Sequence, residues 1–357
     1  MNIINENAKQ ELLTEEKKKK ITIKDYPFFY TKVMYRKGSL LKYDDYERLL
    51  KMDGPYEIAD YLKKKTYGKS IDYLSATFPK DILIEASMKY NTAEECRHFI
   101  NYAVNYPGLH LILNALFLNY YLNNIKYFFL GKINNLDFDK IKPYLIEFGN
   151  INFDLFYSLY STTDDEKFFK VIDIDEKAKI KLKNAYKNKN IVDLQNILSM
   201  YYYINLAETF FQISNKREEL GNYLNAIIGS KNIINILKLK MIIPNKLSKI
   251  QDILKNLIEA KKTDECFSIL DKAKWQRNDV KIIKKALDEK DIEKLECLLE
   301  KIKLRRAKKI FGVKNISAEV VIGYLALKDI ERQNIIFIAS GKKYNLSIEE
   351  IKKHLVF

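Results

Sequence analysis

The stretch SAEVVIGYLALKDIERQNIIFIASGKKYNLSIEEIKKHLVF, residues Ser317–Phe357, decides the fold. It predicts one long helix, a glycine stop, a short link and a second, capped helix. Ser317 accepts a hydrogen bond from the free N–H groups of the first turn, and Glu319 suits the positive end of the helix dipole. Apolar side chains follow at helical spacing through Val320, Gly323, Tyr324, Leu327, Ile335 and Ile338. Gly341 is expected to take the left-handed conformation that ends a helix. Ser347-Ile-Glu-Glu350 is a capping box for the second helix. Nothing in the stretch is catalytic.

Weaker copies of it stand earlier in the chain. Asn334-Ile-Ile-Phe-Ile-Ala-Ser-Gly-Lys342 is followed by Leu346, Ile351 and Leu355. Moving back 210 positions gives Asn124-Ile-Lys-Tyr-Phe-Phe-Leu-Gly-Lys132, then Leu136, Ile141 and Leu145, without a gap. A third copy runs from Asn232 to Lys240, with Ile250 and Leu254 after a one-residue insertion; a fourth is Thr31 to Gly38. A second block repeats at a shift of 101, pairing Ala185, Ile191, Leu194 and Leu198 with Ala286, Ile292, Leu295 and Leu299. The period is about one hundred residues, far longer than helical-hairpin arrays, so each unit is a small helical bundle. The expected fold is therefore all-α: a charged leader (1–25), then units 26–123, 124–231 and 232–357. The terminal half-unit 334–357 closes onto the first, placing three similar units around a pseudo-threefold axis.

Composition agrees. The chain has 357 residues, 47% of them hydrophobic, so it buries a substantial core. Only 11 Gly and 6 Pro argue for long helices joined by short turns. With 62 basic and 47 acidic residues the net charge is +15, which fits nucleic acid, anionic lipid or an acidic protein partner. Lysines scattered over solvated helix faces are the plainer reading. Cys96, Cys266 and Cys297 are odd in number and far apart, as reduced thiols of a cytoplasmic protein are. The longest apolar run, Leu109–Leu122, is interrupted by His110, Asn114 and Asn119 and predicts a buried helix, not a membrane span.

Along the chain, Lys17–Lys20 lie in a solvated leader, and Pro27 opens an aromatic and basic helix that meets Gly38 near its end. Tyr43–Leu50 predicts a short helix, and Thr92-Ala-Glu-Glu95 reads as another capping box. No Gly-rich phosphate loop is present, and the Gly-Lys pairs at 131–132 and 341–342 end helices instead of opening them. Cys96-Arg-His98 is the one tight Cys/His pair, with no second pair at zinc spacing, so no metal and no cofactor is expected. No catalytic residue is assigned. Trp275 reads as core. Glu331 and Asn334 stand out because both fall on the apolar side of the last long helix, where a buried polar contact fixes how that helix docks. Together with Gly38, Asn124, Lys132, Gly341 and Lys342 they are the candidate structural or interface positions. Basic and aromatic residues interleave at Tyr30–Lys37, which keeps a basic all-helical nucleic-acid-binding protein as the alternative, though no nucleic-acid-binding motif accompanies them.

The residues Lys328, Glu331, Asn334, Ile335, Ile338, Gly341, Lys342, Leu346, Glu349, Ile351 and Leu355 spell a pattern that resembles the carboxy terminus of the C subunit of the V/A-type ATPases, known in eukaryotes as the d subunit. Tyr30, Gly38, Leu40-Leu41, Tyr46, Leu49-Leu50 and Thr66-Tyr67-Gly68 agree at the other end; the family usually has Asp-Tyr-Gly at the last. Where the family commonly has Arg two positions after the Asn, this chain has Ile336, Lys126 and Ile234. The resemblance implies an all-helical, non-catalytic rotor part with three units forming a funnel. It implies a place on the cytoplasmic face of the membrane between the D/F shaft and the proteolipid ring, with the a/I subunit and the A/B head as indirect partners. It also gives the positive charge a use against acidic ring loops or shaft residues.

Overall fold

The computed structural model describes residues 21, 23, 26–147, 152–162, 164–213, 218–242, 281, 283, 285, 289, 292–312 and 316–357. Among them every regular element is a helix, apart from one isolated bridge between Ile21 and Ile213. They form two compact units.

The larger unit joins residues 23–211 with 316–355, two pieces far apart in sequence. Its helices are α1 (Pro27–Lys37), α2 (Tyr43–Lys51), α3 (Pro55–Lys63), α4 (Gly68–Ser75), α5 (Lys80–Tyr102), α6 (Pro107–Ile133), α7 (Phe138–Ile141), α8 (Phe153–Ser161), α9 (Asp165–Val171), α10 (Glu176–Lys187) and α11 (Ile191–Gln212). From the other end of the chain come α14 (Val320–Lys343) and α15 (Ile348–His354). Pro27, Pro55 and Pro107 each sit at the start of a helix, where the missing N–H leaves no bond unmade. α14 is the spine of this unit and packs chiefly on α5, then α1 and α3. Val320 to Ala326 are all buried, so α14 begins apolar on every face, as a helix enclosed by neighbours does. Further along, Ile335, Ile338 and Ala339 enter one core with Leu49 and Leu50 of α2, Ile58 and Leu62 of α3, Ile71 and Leu74 of α4, and Ile351 of α15. The apolar run Leu109–Leu122 lies in α6, whose Leu109, Ile112, Leu113, Phe117 and Leu122 are buried. Among the described residues no helix is long and apolar enough to cross a membrane.

The smaller unit contains α12 (Glu218–Ile242) and α13 (Ile292–Ile310), packed on each other. Leu220 and Leu224 face inward, as do Leu299 and Ile302, and the buried Arg306 guanidinium donates to the Asn222 carbonyl at 2.7 Å. The readings on Cys266, Trp275 and the leader 1–20 lie outside the described residues, as do most of the third copy beyond Ile242 and Ala286 of the second block.

Local expectations meet two outcomes. Ser347 with Glu350 closes a reciprocal capping box. Ser317 Oγ accepts the Glu319 N–H at 3.1 Å, but in the turn before α14, whose N-cap is Glu319, so Ser317 does not cap the helix. Gly341, however, is helical and buried, not a left-handed stop. The left-handed residue is Asn345, with φ 56°, four positions later. Its N–H donates to the Lys342 carbonyl at 3.2 Å and the Leu346 N–H to the Gly341 carbonyl at 2.9 Å, a Schellman motif. The glycine is needed for a different reason: a Cβ on Gly341 would lie 2.6 Å from Cγ1 of Ile351. The copy behaves identically. Gly131 is helical, Asn135 has φ 50°, and a Cβ on Gly131 would lie 2.9 Å from Cγ2 of Ile141 and 2.6 Å from the Tyr160 hydroxyl. Gly38 differs from both, standing just past α1 as its cap with φ −62°. Thr92 caps nothing: it lies inside α5 and its hydroxyl donates to the Met88 carbonyl at 3.0 Å.

Candidate functional site

Three turns of α14 carry polar side chains into the larger unit, and the deepest of them is centred on Glu331. Lys328 and Glu331 are one turn apart, so their side chains share a face, and both are 3% exposed. Their charges are 3.0 Å apart. Glu331 also accepts the Tyr67 hydroxyl and the Leu41 backbone N–H. Lys328 Nζ donates to the Tyr67 oxygen at 2.7 Å and lies 3.9 Å from the centre of its ring. One turn on, the buried Asn334 hydrogen-bonds Tyr46. Burial pushes the Tyr67 phenol up, and the Glu331 carboxylate beside it pushes further. Burial and then Glu331 do the same to Tyr46, partly offset by Asn334. Both phenols therefore stay protonated, Tyr67 donating to Glu331 and Tyr46 accepting from Asn334. The cluster ties α14 to the α1–α2 link, to α2 and to the residue before α4.

Two more clusters flank it. Arg36 of α1 pairs with Glu95 of α5, which also accepts the Tyr324 hydroxyl of α14 at 3.3 Å. On the other side Asp329 accepts Arg332 at 2.8 Å, Gln333 at 2.8 Å and the Tyr120 hydroxyl of α6 at 3.2 Å. Burial would raise the Asp329 carboxyl, but the Arg332 charge and these hydrogen bonds outweigh it, and its pKa is lowered.

The remaining sequence candidates lie elsewhere. Asn124, fully buried in α6, donates to the Ile146 carbonyl at 2.7 Å and accepts the Ile146 N–H at 2.9 Å, pinning the return stretch of chain after α7. Lys132 donates to the Thr162 carbonyl at 2.7 Å and stands 3.6 Å from Asp165. Lys342 is half-buried in the last turn of α14, and Gly38 is exposed. Glu331 and Asn334 are thus brought together, while the other five are dispersed. Arg36, Tyr120, Asp329 and Arg332 were not singled out from the sequence, and Glu95 was read only as part of a capping box. Their one local signal was the i, i+3 spacing of Asp329 and Arg332. Among the described residues no group of His, Cys, Asp and Glu is placed to hold a metal ion. Cys96 is buried and unbonded to another sulfur.

Buried acids and bases that pair with each other and with backbone groups, on an all-helical frame, define a structural protein whose polar interior holds helices together. The sequence profile of the ATP synthase (C/AC39) subunit matches residues 29–354, and the chain belongs to that family, the C subunits of V/A-type ATPases. Membership makes it an accessory, non-catalytic subunit of a rotary ATPase. Among relatives, it is 24% identical to the C subunit of the A-type ATP synthase of Methanococcoides burtonii, over 93% of this chain and 94% of that one. The corresponding protein of Methanosarcina mazei is 24% identical over 95% of both chains. That of Methanocaldococcus jannaschii is 23% identical over 94% of this chain and 88% of its own.

Proposed function

We propose that the chain is a central-stalk part of its rotary ATPase, seated on the cytoplasmic side of the membrane between the D/F shaft and the proteolipid ring. In this role it passes torque between shaft and ring, and so couples ATP hydrolysis or synthesis in the A/B head to ion transport past the a/I subunit. The observation that carries the reading is the Glu331 cluster in a chain of this family. A torque-bearing connector must not shear between its first and last helices, and Glu331 joins them through Leu41, Tyr67 and Lys328. The three-unit arrangement about a pseudo-threefold axis, with units at 26–123, 124–231 and 232–357, belongs to the same proposal, because it would present similar surfaces around a rotation axis. Gly38, Lys132 and Lys342 are its proposed interface positions, and Asn124, Glu331, Asn334 and Gly341 its structural ones. The excess positive charge serves protein partners, and no nucleic acid is required.

The test is co-purification. Tagged chain should retain both the D/F shaft and the ring from detergent-solubilised membranes, and membranes stripped of it should hydrolyse ATP without moving ions. If the chain holds neither shaft nor ring, the reading fails. Nucleic-acid binding whose logarithm falls linearly with the logarithm of salt would replace it with the alternative.

A further inference from the structure

The two strict copies, 124–145 and 334–355, share nine identical residues, and eight have a visible use in the fold in at least one copy. Asn124 and Asn334 are buried and hydrogen-bonded, and Ile125 and Ile335 are core residues. Gly131 and Gly341 admit Ile141 and Ile351. Asn135 and Asn345 take the left-handed turn position. Leu145 and Leu355 are core residues, and Lys132 is bound to the Thr162 carbonyl. Lys142 lies over the Phe153 ring, and its counterpart Lys352 pairs with Glu47. The ninth is the leucine directly after the left-handed asparagine. Leu136 and Leu346 are 37% and 41% exposed.

The turn itself does not demand leucine there. A third Schellman turn, closing α10 with Lys189 at φ 51°, has the same pair of hydrogen bonds, and its equivalent residue is the polar Asn190. Nor does the hydrophobic contact usual in this motif account for both leucines, because the residues it would cover are Gly131 and Leu130 in one copy but Gly341 and Ser340 in the other. Three positions beyond each leucine stands an exposed carboxylate, Asp139 in one copy and Glu349 in the other. The neighbouring exposed lysines, Lys140 and Lys343, are not at equivalent positions. The outward-facing feature common to both turns is therefore a leucine beside an acid, presented twice with the same backbone.

A surface offered twice fits a partner that offers its own surface repeatedly. We infer that the two turns, Leu136 with Asp139 and Leu346 with Glu349, are feet that seat on the loops of a ring of identical membrane subunits. The inference rests on the rotor reading and names the part of this chain that meets the ring. Charge supports that occupant: in place of the acidic ring loops expected to meet the net positive charge, loops on the cytoplasmic side of a membrane carry an excess of Lys and Arg, the complement of Asp139 and Glu349. A shaft built from two unlike chains supplies no such repetition.

Binding of the full-length chain and its variants to detergent-solubilised proteolipid ring, measured across salt concentrations, tests it. Leu136→Ser and Leu346→Ser should each weaken ring binding about tenfold, and the double variant about a hundredfold. Asp139→Lys with Glu349→Lys should weaken binding at low salt and remove the salt dependence seen with the native chain. Melting temperature and D/F binding should not move in any of these variants. If the native chain binds the ring and the double leucine variant binds it as tightly, the inference is wrong while the rotor reading stands. Loss of D/F binding with the ring retained would assign the turns to the shaft and overturn it as well. Failure of the native chain to bind ring or shaft sinks both.

Discussion

Gly341 has no room for a side chain: Cγ1 and Cδ1 of Ile351 lie 2.6 and 2.8 Å from where its Cβ would be. Gly341→Ala should therefore destabilise even though alanine favours helix by about 1 kcal/mol. Overpacking costs about 1–3 kcal/mol, so a net loss on the order of 1 kcal/mol is expected in the urea midpoint. Adding Ile351→Val, which removes a methyl group at the contact, should recover part of it. A stabilised Gly341→Ala would show that α15 approaches α14 less closely than these distances require. Asn345, not the glycine, bears the left-handed backbone, so Asn345→Val should lose about 1–2 kcal/mol while Asn345→Gly stays neutral or gains. Asp45 makes a pH-dependent prediction. Burial raises its carboxyl, but the Tyr61 hydroxyl, the Lys42 N–H and Lys65 outweigh burial and hold it at about 2, against an ordinary value of 3.8. A carboxyl held low when folded contributes stability above its unfolded pKa and loses it as pH falls through the folded one. The contribution, on the order of 1 kcal/mol for a site partly open to solvent, should thus disappear between about pH 4 and pH 2. Asp45→Asn should flatten the stability profile over that window, and an unchanged slope would remove Asp45 from the acid transition.

At the scale of the element, α14 shows what a sequence pattern can and cannot carry. That Glu331 and Asn334 are buried and partnered was legible, because both fall on the apolar stripe and an unpaired charge there is too costly to keep. Their partners were not legible from spacing: Tyr67 and Leu41 lie 264 and 290 positions away. The glycine register was legible because the whole pattern recurs 210 positions earlier, but spacing gives a position and not a φ, so a close-contact glycine read as a cap. Thr92 misled for a related reason. Its Ser/Thr-x-x-Glu spacing is a start signal only where no helix precedes it, and α5 is already three turns long there. The Glu331 cluster predicts strong coupling. Glu331→Gln leaves Lys328 buried without an opposite charge and should cost about 3–5 kcal/mol. Lys328→Met in the same chain should restore a large part, since the glutamine carbonyl can still accept the Leu41 N–H while its NH2 donates to the Tyr67 oxygen that Lys328 has left. Strictly additive losses in the single and double variants would mean that the two charges do not depend on each other.

For the whole molecule, the all-helical class followed from composition and period, and the family from landmarks concentrated at the two ends of the chain. The ends are where the landmarks concentrate because they are physically one object. The core of Leu49, Leu50, Ile58, Leu62 and Ile71 is completed by Ile335, Ile338 and Ile351, and the Arg36–Glu95 pair is capped by Tyr324. This arrangement predicts that residues 26–123 do not fold cooperatively alone. Without 316–357, the inner faces of α1, α3 and α5 lose the helix they pack on, and Tyr67 loses Glu331. Expressed by itself, 26–123 should retain helical far-UV circular dichroism with a broad thermal transition and rapid amide exchange in α2 to α4. Co-expressed with 316–357 as a separate chain, it should be recovered as a complex with a sharp transition. Glu331→Ala in the second piece should abolish or markedly weaken that recovery. A 26–123 fragment that melts sharply and gains nothing from its complement would show instead that the first hundred residues hold their own core, with the carboxyl-terminal helix merely laid upon it.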